Sequence, residues 1–419
     1  MRAEILTIGD ELCRGEIVDT NSSWLAGKLW DLDITTRWMT SCLDDDADIA
    51  AAMKLAVSRA DVVLCSGGLG PTEDDLTVDV VSALAGTQSV IEETHRAKME
   101  AWLARRTVDS AAPPTGIMAI QLRQVRVPNG ARVHANPVGL APGFEVALGG
   151  VPIICMPGVP RELHAIWEAG LEARLGELRG ETAEKIARRI YRVFGRGESQ
   201  ISQMCRGLVD GIAGASIHYQ VKFPETLVKI VVRDRDGAAA QARLAAIDGE
   251  IRTRLAGFLY GDGDENLVGR VVRRLVEAKA TLATAESCTG GMIGELVTSI
   301  AGSSAAYVGG AIVYSNAEKV RQLGVDEGTI EMYGAVSEQT VVEMAYGARE
   351  RFGSSLAVSV SGIAGPGGGT PEKPVGLVWL AIAKDKQIVT KKIQWPGTRD
   401  QVRTLASWWA LRMVDEAIR

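Results

Sequence analysis

The sequence predicts an α/β protein, with two layered α/β domains separated by a small α+β module. Three observations carry this. Short apolar runs alternate with amphipathic helical stretches from residue 1 to about 170. A charged stretch with two glycines, Leu171 to Glu184, then leads into a β-α-β-β-α order. Strand–helix alternation resumes after about residue 262. The expected domains are 1–172, 173–260 and 261–419, and a 419-residue chain that is 46% apolar can supply each with a core.

Composition narrows the functional classes. The formal net charge is −6, so bulk electrostatics favour neither nucleic acid nor an anionic membrane. No apolar run approaches the length of a bilayer span. Met1 to Gly9 reads as a strand entering a turn rather than a signal peptide. The six cysteines are scattered without a C-x-x-C pair, and Cys13, Cys42, Cys65 and Cys155 lie in or beside apolar runs. Reduced cysteines and a cytoplasmic location are expected. The four histidines have no zinc-ligand spacing, so any metal would take mainly oxygen ligands, as magnesium or manganese does.

In order, Ala3–Ile8 predicts a buried strand and Asn21-Ser22-Ser23 caps a helix to about Leu32. Thr35–Cys42 is a second strand, Ile49–Arg59 a helix and Asp61–Cys65 a third strand. This βαβαβ order implies a mostly parallel sheet, which binds ligands beyond its strands' carboxyl ends. Two informative loops fall there, Gly9 to Gly15 and Ser66 to Thr77. The second is neither a Walker loop nor a dinucleotide fingerprint. Its glycines Gly67, Gly68 and Gly70 suit a phosphate cradle, and Asp74 and Asp75 suit a metal–phosphate complex or, more simply, the cap of the next helix. Further loops run from Asn136 to Phe144 and from Met156 to Leu163.

The middle module reads as strand Lys185–Phe194, a helix from Glu198, strands Ala215–Phe223 and Thr226–Arg233, and helix Ala238–Leu255. It has no carboxylate cluster, and Gly195-Arg196-Gly197 is not the G-x-x-G loop that a nucleic-acid-binding KH module needs. A spacer or dimerisation role follows, and with it a homodimer without nucleic-acid or membrane partners. Gly261-Asp262-Gly263-Asp264 reads as a linker.

The last domain is organised around Thr284 to Gly291, a strand-to-helix turn carrying Ser287, Thr289, Gly290 and Gly291. Such a turn directs backbone N–H groups at an anion. Two more turns rich in glycine and hydroxyls occur, Ala301–Ser304 and Ser361–Gly369, the latter with Gly362 and Gly365. The groups available for chemistry are Ser287, Ser304, Tyr314, Ser361, Lys319 and Arg399. The domain has no histidine, so a Ser-His-Asp triad is impossible; a serine activated by lysine or tyrosine is the alternative. The plainer readings are an N-capped helix and a solvated Lys319.

These loops resemble those of the CinA (competence/damage-inducible) family. Gly9–Gly15, Asp19-Thr20-Asn21, Gly67–Thr77, Ala141-Pro142-Gly143 and Pro157–Glu162 look like its molybdopterin-binding-type first domain, a three-layer α/β fold. The middle module is similar to its KH-like domain. Ala285–Gly291, Gly302–Ser304, Tyr314–Asn316, Ala335–Glu338, Ser361–Pro366 and Glu372–Gly376 resemble its layered α/β C-terminal domain. The resemblance implies hydrolysis of nicotinamide mononucleotide (NMN) to nicotinate mononucleotide and ammonia, without a cofactor. Ser304 is then the nucleophile with Lys319 or Tyr314 as base, and Ser287 serves binding; the reverse assignment of the serines stays open. Ser361 and Arg399 complete the catalytic set, and Thr289, Gly290, Gly291, Gly362 and Gly365 bind substrate. For the first domain it implies a metal-dependent ADP-ribose pyrophosphatase. Glu11, Asp44, Asp74 and Asp75 would hold a magnesium-, manganese- or cobalt-type ion there, with Asn21, Gly67, Gly68, Gly70 and Thr72 around the substrate. The rival readings are a regulatory protein tied to competence or recombination, and a molybdopterin-handling protein.

Overall fold

β1 (Arg2–Ile8) is apolar along most of its length because both its faces are covered. The computed structural model, which describes residues 1–108, 117–180 and 184–418, forms two compact units. In the first unit (Met1–Ile186 with Arg233–Gly237), β2 (Thr35–Cys42) and β3 (Val62–Ser66) flank β1 in parallel. The short strands β4 (Ser89–Ile91) and β5 (Arg126–Pro128) pair with each other. β6 (Arg132–His134), β7 (Gly143–Leu148) and β8 (Val151–Met156) complete a six-stranded sheet of order β2-β1-β3-β8-β7-β6. Ala3 and Ile5 face the helices Thr20–Asp31 and Pro160–Ile166, whereas Leu6 and Ile8 face the helix Asp46–Arg59. The three layers are therefore helix, sheet and helix. The caps differ from expectation: Asp19, not Asn21 or its neighbours, caps the first long helix by accepting from the Ser22 N–H. Asp45 likewise caps the next, which starts at Asp46. The stretch Leu171–Glu184 is helical to Arg179; residues 181–183 lie outside the described residues.

The second unit (Ala187–Val232 with Ala238–Arg419) contains two sheets. β9 (Lys185–Phe194), β10 (Ala215–Lys222), β11 (Glu225–Asp234) and β12 (Leu259–Asp262) form one, ordered β10-β11-β9-β12. β12 corrects the expected linker: Gly261 and Asp262 pair antiparallel with β9. The neighbouring Tyr260 hydroxyl also donates to the buried Glu225 carboxylate. Phe194 and Tyr260 belong to the same apolar core as the last helix, so the middle module packs as one unit with the last domain.

The other sheet runs β14-β13-β15-β16-β17: β13 (Leu282–Glu286), β14 (Tyr307–Ile312), β15 (Leu356–Gly362), β16 (Leu377–Lys384) and β17 (Gln387–Gln394). β14, β13 and β15 are parallel, and β16 and β17 antiparallel. Its alanines Ala283, Ala285, Ala357, Ala381 and Ala383 belong to the cores against the helix Glu338–Phe352, where small side chains allow close approach. Leu282, Val358, Val360 and Leu380 lie in the core formed with the helices Leu267–Glu277 and Arg399–Ala417. Of the cysteines, all free, Cys13 is exposed despite its apolar neighbours and the other five are buried.

Candidate active site

In the first unit the carboxyl ends of β1, β3 and β8 surround a cavity of about 510 Å³ lined by Glu11, Asp44, Gly67, Gly68, Gly70, Asp74 and Asp75. The two sequence-distant loops do converge, and two of their carboxylates accept hydrogen bonds within the protein. Asp75 accepts from the N–H of Gly70 at 2.7 Å and of Thr72 at 2.8 Å, and from the Thr72 hydroxyl. Asp44 accepts from the Asp10 N–H at 2.9 Å while Asp10 accepts from the Asp44 N–H at 3.2 Å. Burial, and then the neighbouring acids, raise the Asp44 carboxyl above its ordinary range. Among the described residues no group of three His, Cys, Asp or Glu is placed to hold a metal ion. Glu11, Asp44, Asp74 and Asp75, the expected ligands of a divalent ion, thus line one cavity without being gathered into a preformed metal site.

Asp75 does not cap the following helix either, whose cap is Leu76. Gly67 and Gly68 are glycine for internal reasons: a Cβ would collide with the Ile8 carbonyl or the Thr77 hydroxyl. Asn21 donates to Ser66 Oγ at 2.9 Å and to the Gly158 carbonyl at 2.8 Å, tying three loops together. Asp75→Ala should cost about 1 kcal/mol by removing the acceptor of the part-buried Gly70 N–H. Chemical denaturation reads this, and an unchanged midpoint would remove the loop-clamp role.

In the second unit, Ser287 follows β13 directly and its N–H donates to the Val360 carbonyl of β15 at 3.0 Å. The helix Asn316–Leu323, capped by Ser315, turns Lys319 inward until it is 1% exposed. Lys319 Nζ stands 3.2 Å from Ser287 Oγ, 3.0 Å from the Val313 carbonyl and 3.3 Å from the Tyr314 carbonyl. Burial pulls its ammonium below the ordinary lysine range. The expected solvated lysine is thus a buried one, and no carboxylate pairs with it among the described residues.

Ser304, the expected nucleophile, is not brought to Lys319. The Ala306 carbonyl accepts from the Leu282 N–H, so Ser304 lies beyond the amino ends of the parallel strands β13 and β14. Ser287 lies beyond the carboxyl end of β13. Five residues of strand separate the two serines by roughly 15 Å. Ser304 is exposed on a short turn.

The expected anion cradle is filled by the protein itself. Glu286, 1% exposed, accepts from the N–H of Gly291 at 2.9 Å, Ile293 at 3.1 Å and Gly294 at 2.9 Å. The Gly290 N–H donates to the Ser287 carbonyl. Thr289 is buried, its Oγ1 without a partner and its carbonyl accepting from Arg403 at 2.9 Å. The N–H groups of Gly290 and Gly291 are therefore engaged within the turn that carries Ser287. Sequence reading passed over Glu286 and Arg403. An acid at a strand end before a glycine-rich helix start is the signal that could have found the first.

At the rim, Arg399 donates to the Gly365 carbonyl at 2.9 Å and to the Tyr314 hydroxyl at 3.1 Å, and both side chains are exposed. Ser361 neighbours Ser287 across the sheet, but its hydroxyl donates to the Ala335 carbonyl at 2.6 Å. Gly362 and Gly365 make room for Val378 and Val375. Burial pushes the Cys288 thiol up to about 12, so it is no nucleophile near neutral pH.

Three family models match the chain: a probable molybdopterin binding domain over residues 4–177, the damage-inducible protein CinA KH domain over 188–261 and the CinA C-terminal domain over 264–418. A CinA-like protein of Anaeromyxobacter dehalogenans is 39% identical over 426 residues, covering 100% of both chains. One of Citrifermentans bemidjiense is 39% identical over 98% of this chain and 96% of its own. The crystal structure of a competence/damage inducible protein from Agrobacterium tumefaciens is 39% identical and covers 37% of this chain and 96% of its own, with a TM-score of 0.35. With relatives matched end to end and all three segments accounted for in order, the chain belongs to the CinA family.

Proposed function

We propose that the second unit is an amidohydrolase acting on the carboxamide of NMN, with Ser287 as nucleophile and Lys319 as base. The supporting observation is the set of partners of Lys319 Nζ. A neutral amine has two N–H donors and one lone pair. The Val313 and Tyr314 carbonyls take the two donors, which aims the lone pair at the Ser287 hydroxyl. Burial without a carboxylate partner favours that neutral state.

Lys319 takes the Ser287 proton as Oγ bonds to the carboxamide carbon. The amide C–N bond then breaks, and Lys319 returns the proton to the leaving nitrogen, which departs as ammonia. Water attacks the resulting serine ester, gives a proton to Lys319 and frees nicotinate mononucleotide, and Ser287 regains its hydrogen. Arg399, exposed beside Tyr314, supplies the charge for the substrate phosphate. No metal or cofactor enters these steps. The carboxylates of the first unit carry no hydrolytic step in this reading.

The pH profile tests the base. Ammonia release from NMN should rise with pH as Lys319 loses its proton, with a midpoint below the ordinary lysine value of about 10.4. Lys319→Arg, charged at every accessible pH, should lose activity by about 10²-fold or more throughout. Retained activity in Lys319→Arg would remove lysine from the base role.

A further inference from the structure

The second unit holds another cavity, of about 450 Å³, that shares no lining residue with the Ser287–Lys319 pair. It lies among the Gly195–Gly197 turn, the β10–β11 turn, β17 and the helix Arg399–Ala417. Three aromatic rings line it: Phe223, Trp395 and Trp409. Phe223 and Trp395 are 40% and 38% exposed, and their ring centroids stand 6.1 Å apart at 43°. Large flat apolar faces are thus left open toward one space. Gly195 brings bare backbone to the third ring, since a Cβ there would meet Trp409 at 3.0 Å.

Three cations line this cavity, Arg196, Lys391 and Lys392. Lys391 Nζ sits 3.8 Å from the Trp409 ring centroid, and the Arg196 guanidinium 4.3 Å from that of Phe258. Each lies over a ring; burial, and after it the positive charge of Arg196, disfavours protonation of Lys391. Among the described residues neither has an ion-pair partner. The acids nearby are largely committed: Glu225 to Arg192 and Tyr260, and Glu416 to Arg412 at 2.8 Å, although Glu416 still favours the charged Lys391. Glu198, exposed, is the remaining acid of the lining. Like charges held together against aromatic walls fit an anion attached to a planar ring.

We propose that this cavity is a binding site for a nucleoside monophosphate, its base against Trp395 and Phe223 and its phosphate at Arg196 and Lys391. The volume suits one such ligand. The site stands apart from the amidase reading and does not depend on it.

Calorimetric titration of the full chain with AMP, GMP, CMP and UMP in turn tests this, with adenosine and inorganic phosphate as the separated halves. At least one monophosphate should bind with sub-millimolar affinity, and each half about tenfold or more weaker. Arg196→Gln and Lys391→Gln, and separately Trp395→Ala, should each weaken the bound monophosphate by about tenfold while leaving the melting curve in place. The first and last of these side chains are partly or fully exposed, so their removal leaves the core intact. Absence of binding by all four nucleotides would overturn the proposal. So would binding that all three variants leave unchanged, which would put the nucleotide elsewhere, such as in the first unit's cavity.

Discussion

Ser287→Ala should abolish ammonia release from NMN, lowering kcat by about 10³-fold or more, whereas Ser304→Ala should stay within about threefold of the parent. Ser287 alone among the candidate serines stands within hydrogen-bond reach of Lys319. Ser304 lies past the opposite end of the same parallel strands. Because Ser287 and Lys319 act as one unit, Ser287→Ala combined with Lys319→Ala should be hardly worse than either alone. Additive losses in the double variant would mean that the two side chains act in separate steps. An inactive, folded Ser304→Ala would return the nucleophile to the other edge of the sheet.

Glu286→Ala should be the most destabilising single change in the second unit, at about 3–5 kcal/mol. The carboxylate is buried and accepts three backbone N–H groups at the start of the helix Met292–Thr298. Alanine leaves those donors unpaired inside the protein and removes an anion from a helix amino terminus. Glu286→Gln keeps the shape and one acceptor but turns an amide NH₂ toward an N–H, so it should lose less. Thermal unfolding in the two variants reads the difference, and a Glu286→Ala melt matching the parent would show that water replaces the carboxylate freely.

Much of this fold is written in local pattern. Thr35–Cys42 and Lys185–Phe194 occur at their expected bounds, because strand alternation follows from which faces are buried. What escaped depends on neighbours distant in sequence. Gly261 and Asp262 look like a linker until β9 supplies a partner for their backbone. Glu286 looks like one more polar residue in a turn until the helix start folds back over it. The site divides in the same way. The residue types for serine–lysine chemistry were legible, including the absence of histidine. Which serine meets the lysine was not, because that depends on which end of a parallel strand each occupies. The carboxylates of the first unit show the converse: their loops do converge, but Asp75 accepts hydrogen bonds within its own loop and Asp44 exchanges them with Asp10, 34 residues away, neither of which the local pattern shows.

The most direct test of the Ser287–Lys319 reading is to quench the protein in acid during turnover of NMN, digest it and sequence the modified peptide by tandem mass spectrometry. The account predicts an ester of the nicotinoyl nucleotide on Ser287 and none on Ser304. An ester located on Ser304, or steady ammonia release with no serine ester at any quench time, would contradict it.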